Sequence, residues 1–467
     1  MAGGLALVLG VVVVVGVTWW RGDRPEAPRL AAGTNRPVNA DTGSLGAQNS
    51  PSVVVSPMDP RSVVVAGRVD RPEFSATVRF SRDEGQTWSD ARLALPPGQT
   101  RPFEPQLAFD GRGTLYVLFS TLEGPGITPN GLWLETSGDG GGTFSSPVRV
   151  ADRLAYQARL VVDQASADVH VTWLQADPRS STVTASGLGP PPNPVIMASS
   201  GDGGASFPRR AQVSDPRRRR VGAASPAIAP SGDLFVLYQD YGGDLADFEG
   251  LPGEIHEGAF SLVVSRSTDG GETFSDTGVA DSTVVASERF LVFLPKFPSL
   301  AIDPRSGMLY VAWSDIRNGD ADVFVRRSDD RGKTWSAPIR VDNAEDSPRQ
   351  QQYLPKLAVA PDGRVDVLFL DRNDRDEQLR TTAVLSSSSD KGGSWNAVTV
   401  SDQAFDAGVG PRNVATDPGA RVAETGTNLG LASTIDTVYA VWADGRRGSV
   451  ERGQQDLFAS TVRVVRG

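Results

Sequence analysis

The stretch Ser81-Arg-Asp-Glu-Gly-Gln-Thr-Trp88 decides the fold, because it recurs. Ser137–Phe144 reads SGDGGGTF, Ser200–Phe207 SGDGGASF, Ser267–Phe274 STDGGETF, Ser328–Trp335 SDDRGKTW and Ser388–Trp395 SSDKGGSW. The common pattern is S-x-D-x-G-x-[T/S]-[W/F]. Its aspartates, Asp83, Asp139, Asp202, Asp269, Asp330 and Asp390, are spaced by 56, 63, 67, 61 and 60 residues. A period this regular means a repeat architecture. Within each copy the carboxylate can accept downstream backbone N–H groups and pin a turn. The glycine supplies a left-handed position, and the aromatic supplies an apolar anchor. Strand-like runs flank the copies, Ala321–Arg326 before one and Ile339–Val341 after it, so each copy is read as a hairpin turn. A catalytic group is needed once. Six equivalent aspartates therefore point to structure rather than to six metal or catalytic sites.

Outward from these turns, a second repeat alternates with them. Phe297–Asp315 shows it: an apolar run, a turn, and a second apolar run ending in aromatic and acidic residues. Related segments start near Ser50, Glu104, Ala158, Ser225, Leu354 and Pro411, making seven. Two strands here plus two around the turn give a four-stranded unit, which is a propeller blade. The expectation is an all-β propeller of seven blades over residues 36–467, with six as the alternative. The seventh unit has a third strand at Asp456–Ser460 but no turn motif after it. Arg36–Asp41 resembles the fourth strand at Pro338–Asp342, so the N-terminal stretch is expected to complete the last blade and remove an open edge.

Composition narrows the class. The chain has 467 residues, a formal net charge of -10 and an isoelectric point near 5.0, which argues against a nucleic-acid partner. Fifty glycines and 33 prolines suit a molecule built largely of turns. There is no cysteine, and the two histidines, His170 and His256, do not make a zinc set. No cofactor motif is present. Leu5–Trp20 is apolar apart from Thr18 and approaches the length that spans a bilayer. It lacks both a basic start and a small-residue cleavage site. Residues 1–20 are therefore read as a membrane anchor, with a signal segment as the alternative, and residues 21–35 as a linker. The propeller is expected outside the cytoplasm.

The turn motif resembles the Asp-box, or BNR, repeat of the sialidase-like β-propellers, over roughly residues 36–466. The resemblance implies the propeller fold. It also implies a ligand face at the loops joining strand two to three and blade to blade, with either glycoside hydrolysis or ligand binding there. Sialidases carry an F-R-I-P segment whose arginine helps clamp the substrate carboxylate. They use a tyrosine nucleophile. Here the corresponding segment is Gln48-Asn49-Ser50-Pro51, and Asn396–Arg412 has no tyrosine. These departures favour a glycan- or protein-binding module over an exo-sialidase-like hydrolase.

Candidate residues follow from that face. The two-to-three loops repeat an acidic–basic theme at Asp70-Arg71, Asp177-Pro-Arg179, Asp240, Asp315-Ile-Arg317, Asp371-Arg372 and Asp444-Gly-Arg446. Asp70, Asp315, Asp371 and Arg380 are the candidates for catalysis, with Arg380 in the place of a later clamp arginine. Local loop-fixing pairs are the other reading. Blade four breaks the repeat twice: a 22-residue segment Gln239–Phe260 carries Glu254 and His256, and Arg217–Arg220 is a run of four arginines. Arg217, Arg219, Arg220, Asp240, Glu254, His256, Arg317 and Arg372 are the candidate ligand-binding set, because guanidiniums suit carboxylate or phosphate-like groups. A solvated patch beside a surface insertion would explain the same residues. His170, within Val169-His-Val-Thr-Trp173, reads as a strand residue.

Overall fold

A computed structural model describes residues 28–39, 46–124, 126–176, 192–242, 259–285, 297–341, 349–375, 379–411 and 422–465. These form seven antiparallel sheets and no helix. Blade I contains Ala47–Val55, Val63–Arg71, Ser75–Ser81 and Ser89–Ala91, running from axis to rim. Blades II to VI repeat that order, starting with innermost strands Pro102–Phe109, Ala155–Val162, Val221–Ile228, Ser299–Ile302 and Gln350–Val359. Blade VII has Gly430–Ser433, Thr437–Asp444 and Asp456–Val465. Consecutive innermost strands touch all the way round, from blade VII back to blade I, so the ring is closed.

The closure is N-terminal, as the sequence leads one to expect, but it starts earlier. Arg36–Pro37 pairs with Phe458 and Ala459, and Arg29–Ala32 pairs with Val462–Val465. Asn39 locks the register: its amide donates to Asp456 Oδ1 at 2.6 Å, and its Oδ1 accepts the Leu457 N–H at 3.0 Å. The sequence reading places residues 21–35 in a linker. That assignment is corrected for Arg29–Ala32, which extends the outer edge of blade VII that Arg36–Pro37 also lines. Leu5–Trp20 lies outside the described residues. No described helix is long and apolar enough to cross a membrane.

Each blade is apolar on both faces because each is sandwiched. That explains continuous runs such as Leu115–Phe119, wholly buried, in place of alternation. Seven buried clusters fill the seven blade-to-blade interfaces. The turn-motif aromatics have a fixed place in them. Trp88, Phe144, Phe207, Phe274, Trp335 and Trp395 each seal the interface with the preceding blade.

The turns themselves are built as their residues suggest. In blade I, Asp83 Oδ1 accepts the Thr87 N–H at 2.8 Å and the Ser81 hydroxyl at 2.7 Å, while Ser81 Oγ accepts the Gly85 N–H at 2.8 Å. Gly85 has φ 82°. The same carboxylate contacts recur at Asp139, Asp202, Asp269, Asp330 and Asp390.

Candidate functional site

The site is built on a repeated kink in the innermost strands. Five of them carry a bulge, between Asn49 and Ser52, Phe103 and Gln106, Tyr156 and Arg159, Gly222 and Ser225, and Tyr353 and Lys356. At each, one residue adopts a left-handed conformation: Ser50, Glu104, Gln157, Ala223 and Leu354, with φ between 48° and 58°. Such backbone is unfavourable for residues other than glycine and tends to gather at functional sites. Neighbouring blades help to hold the kinks. Gln157 Oε1 accepts the Ala223 N–H at 2.7 Å, and Ser50 Oγ accepts the Thr427 N–H at 3.0 Å.

The kinks bring charged side chains together at the axis. Arg68, on the second strand opposite Asn49, donates through Nε and Nη2 to Asp70 at 2.7 and 3.0 Å. Its Nη1 faces Glu104 Oε1 at 3.6 Å. Asn49 Nδ2 also donates to Asp70, at 2.8 Å. Arg159 reaches across from blade III. Its guanidinium carbon lies 3.6 Å from the ring centre of Phe297, at the start of blade V. Its Nη2 donates to Asn428 Oδ1, at the start of blade VII, at 3.3 Å. Asn428 in turn donates to the Pro51 carbonyl at 2.7 Å. Lys356 stands on the innermost strand of blade VI at the register that Arg159 occupies in blade III.

The charges act on one another. Burial pushes the Glu104 carboxyl up, against the pull of Arg68 and Arg159. Burial brings Arg159 down to about 10 and Lys356 down to about 8, and Arg159 adds to the effect on Lys356. For Arg68 burial also disfavours the charge, but Asp70, by attraction and by hydrogen bond, more than reverses this. Two buried polar atoms near this loop cluster, Arg68 Nη1 and Thr425 Oγ1, have no hydrogen-bond partner among the described residues. A half-satisfied polar network is costly when dry. Among the described residues, no group of three or more His, Asp or Glu is placed to hold a metal ion.

The residues singled out in the sequence distribute unevenly. Asp70 is inside the axial cluster. Asp315 is fully buried, where it accepts the Trp313 Nε1–H at 2.8 Å and pairs with Arg317 at 2.5 Å. Asp444 repeats this with Trp442 at 2.9 Å and Arg446 at 2.8 Å, so these members of the acidic–basic theme are local pairs. Asp371 is clasped by the Gln350 amide at 2.9 and 2.8 Å, with its carboxyl raised by burial. Arg372 turns to Asp374 at 2.5 Å. Arg380 is exposed, at the edge where its Cα pairs with Asp406.

The arginine run does not converge. Arg217 is exposed and bound to Asp215, and Arg219 is exposed. Arg220 is buried and donates to Asn193 at 3.0 Å. The unselected Arg218 is the one that reaches Asp240, at 2.5 Å, and Asp276, at 2.9 Å. Strand pairing explains the divergence, because the backbone at Arg220 enters the innermost strand of blade IV by bridging to Asn193. Glu254 and His256 lie outside the described residues.

Sequence reasoning missed Arg68, Glu104, Arg159 and Lys356. A signal existed. With the repeats aligned strand by strand, Arg159 and Lys356 stand where other blades have Ser52, Ser225 and Ser299.

The geometry defines a class of fold, a closed seven-bladed β-propeller of antiparallel sheets. No protein-family model matches the chain, and no curated protein matches it in sequence. Among solved structures, a protein of unknown function from Dyadobacter fermentans is similar at 14% identity and a TM-score of 0.50, over 93% of this chain and 99% of that one. The endosialidase of phage phi92 is similar at 12% identity and a TM-score of 0.50, over 93% of this chain and 70% of that one. At these identities the likeness is one of fold.

Proposed function

We propose that the protein is a glycan-binding propeller whose axial cluster receives the acidic group of a sugar ligand. One observation carries this reading: Arg68, Arg159 and Lys356 gather where the innermost strands kink, with Arg68 Nη1 facing Glu104 but making no hydrogen bond. Guanidiniums and a half-buried ammonium favour a carboxylate or sulfate. The glycan-acting proteins among folds of this kind support the sugar, though not any particular one.

Titration calorimetry with sialylated, uronic-acid-containing and neutral oligosaccharides tests the reading. Acidic ligands should bind, and Arg159→Met should weaken them at least tenfold, about 1.4 kcal/mol. Equal binding of neutral sugars would overturn it. Binding only to an acidic protein surface would transfer the site to a protein ligand.

A second reading, hydrolysis, has its own observation. Glu104, with its raised pKa, and Asp70, paired to Arg68, sit on one guanidinium, an acid beside a carboxylate. Release of sugar from the ligands that bind, abolished by Glu104→Gln, would establish it. We further propose that the propeller works outside the cytoplasm, tethered through Leu5–Trp20. The apolar run supports this. Protease accessibility on intact cells checks it, and a wholly cytoplasmic pool would refute it.

A further inference from the structure

One position of the innermost strand has a recurrent structural task. Ser52 accepts the N–H of Leu107 at 3.2 Å, Ser225 that of Leu300 at 3.2 Å and Ser299 that of Leu357 at 3.0 Å. Each serine thus ties its strand to the innermost strand of the next blade. Lys356 occupies the same register in blade VI and, as an ammonium, cannot accept a hydrogen bond there. Its side chain has no hydrogen-bond or ion-pair partner among the described residues, although it lies within the electrostatic reach of Arg159. It remains partly accessible to solvent.

The choice of lysine is itself informative. Of 46 lysines and arginines only four are lysines, Lys296, Lys333, Lys356 and Lys391. Lys333 and Lys391 are exposed on turn motifs, and Lys296 lies outside the described residues. Everywhere else on the described axis the cation is arginine. Arginine serves where a permanent charge is wanted, whereas an ammonium shifts readily when buried and can become a nucleophile. A half-buried amine level with a second cation, as Lys356 is with Arg159 by strand register, is the arrangement that activates it. Its pKa, brought down to about 8, agrees with that geometry.

We propose that Lys356 is a nucleophilic amine that forms an imine with a 2-oxo carboxylate whose carboxylate is held by Arg159. This rests on the anionic-ligand reading of the axial site and adds a covalent step to it. The neutral amine attacks the carbonyl carbon. A C–N bond forms, and the C=O π pair moves to oxygen. That oxygen then leaves with the two amine protons as water, so amine plus carbonyl gives C=N plus water with no oxidant or reductant. The fitting substrate class is a 2-oxo acid, whether a small one or an acidic keto sugar in its open-chain form.

Reductive trapping tests the step. The full-length protein is incubated with pyruvate and sodium cyanoborohydride over a pH series, then mapped by peptide mass spectrometry. The expected result is one adduct, on Lys356, in at least tenfold excess over Lys333 and Lys391. The yield should rise with pH as the amine loses its proton. Lys356→Arg and Lys356→Met, each shown by thermal melting to be folded, should lose the adduct. Equal labelling of the exposed lysines, or none on Lys356 at any pH, overturns the proposal without needing either variant. Wild-type calorimetry with acidic oligosaccharides separates the two ideas. Glycan binding without trapping sinks the imine alone. Trapping without glycan binding sinks the glycan reading and leaves the amine standing.

Discussion

At the residue scale, the motif aspartates are tuned by the donors around them. Hydroxyl and backbone N–H donors bring Asp83, Asp139, Asp202 and Asp330 to about 2, the Thr87 hydroxyl foremost for Asp83 and the Thr143 N–H for Asp139. A carboxylate held below its unfolded value stabilises the fold fully above about pH 4, and that contribution is lost as pH falls through the folded value. The melting temperature should therefore hold from neutrality to about pH 4 and fall steeply toward pH 2. A flat profile would deny the aspartates their role. Asp269→Ala removes contacts to Ser267, Glu272 and Thr273 and should cost about 1–2 kcal/mol in a thermal melt, leaving ligand binding intact. The position before the motif glycine is left-handed in every copy. It is glycine at Gly140, Gly203 and Gly270, but Glu84, Arg331 and Lys391 elsewhere. Arg331→Gly should relieve roughly 1 kcal/mol of backbone strain and raise the melting temperature. The turn chemistry was legible in the sequence because it is local. The charges on Arg159 and Glu104 were not, since their meaning comes from Phe297, Asn428 and Arg68, brought in from other blades.

At the scale of the element, two strands behave differently from the rest. The N-terminal closure was readable from Arg36–Asp41 because that stretch resembles a fourth strand. Its extension through Arg29–Ala32 was hidden, since Arg-Leu-Ala-Ala carries no alternation and its partner, Val462–Val465, is defined only by the fold. Deleting residues 28–39 removes both paired segments and the Asn39 lock. Circular dichroism should then show a melting transition lowered or split, as blade VII loosens before the others. An unchanged single transition would mean that the closure contributes nothing. The kinked innermost strands were equally hidden, because a single inserted residue does not disturb a repeat that already varies in length. The arginine run misled for the opposite reason. Its four residues look like one patch in the chain, yet a strand entering the sheet sends Arg217, Arg218 and Arg220 to three different partners.

At the scale of the whole molecule, stability is distributed over seven similar interfaces, and the six motif aromatics are their outer seals. Trp335→Ala should cost about 2–4 kcal/mol, read as a shift of the urea midpoint, because the ring packs on the cluster between blades IV and V. The number of blades was legible because seven apolar runs can be counted in the chain. The site was not, because it belongs to no single repeat: blades I, II, III and VI each contribute one or two charges to the axis. The suture of the first residues into the last sheet has a consequence for synthesis. Arg29 leaves the ribosome 436 residues ahead of its partner, Val465. At about 5–20 residues per second that is an interval of roughly 20 to 90 seconds. Throughout it the nascent ring is an open arc with an unmated strand at one end, ready to mate with the wrong copy. The moment of greatest hazard for this protein is therefore its birth, and the polysome, where neighbouring copies grow side by side, is where that hazard is met.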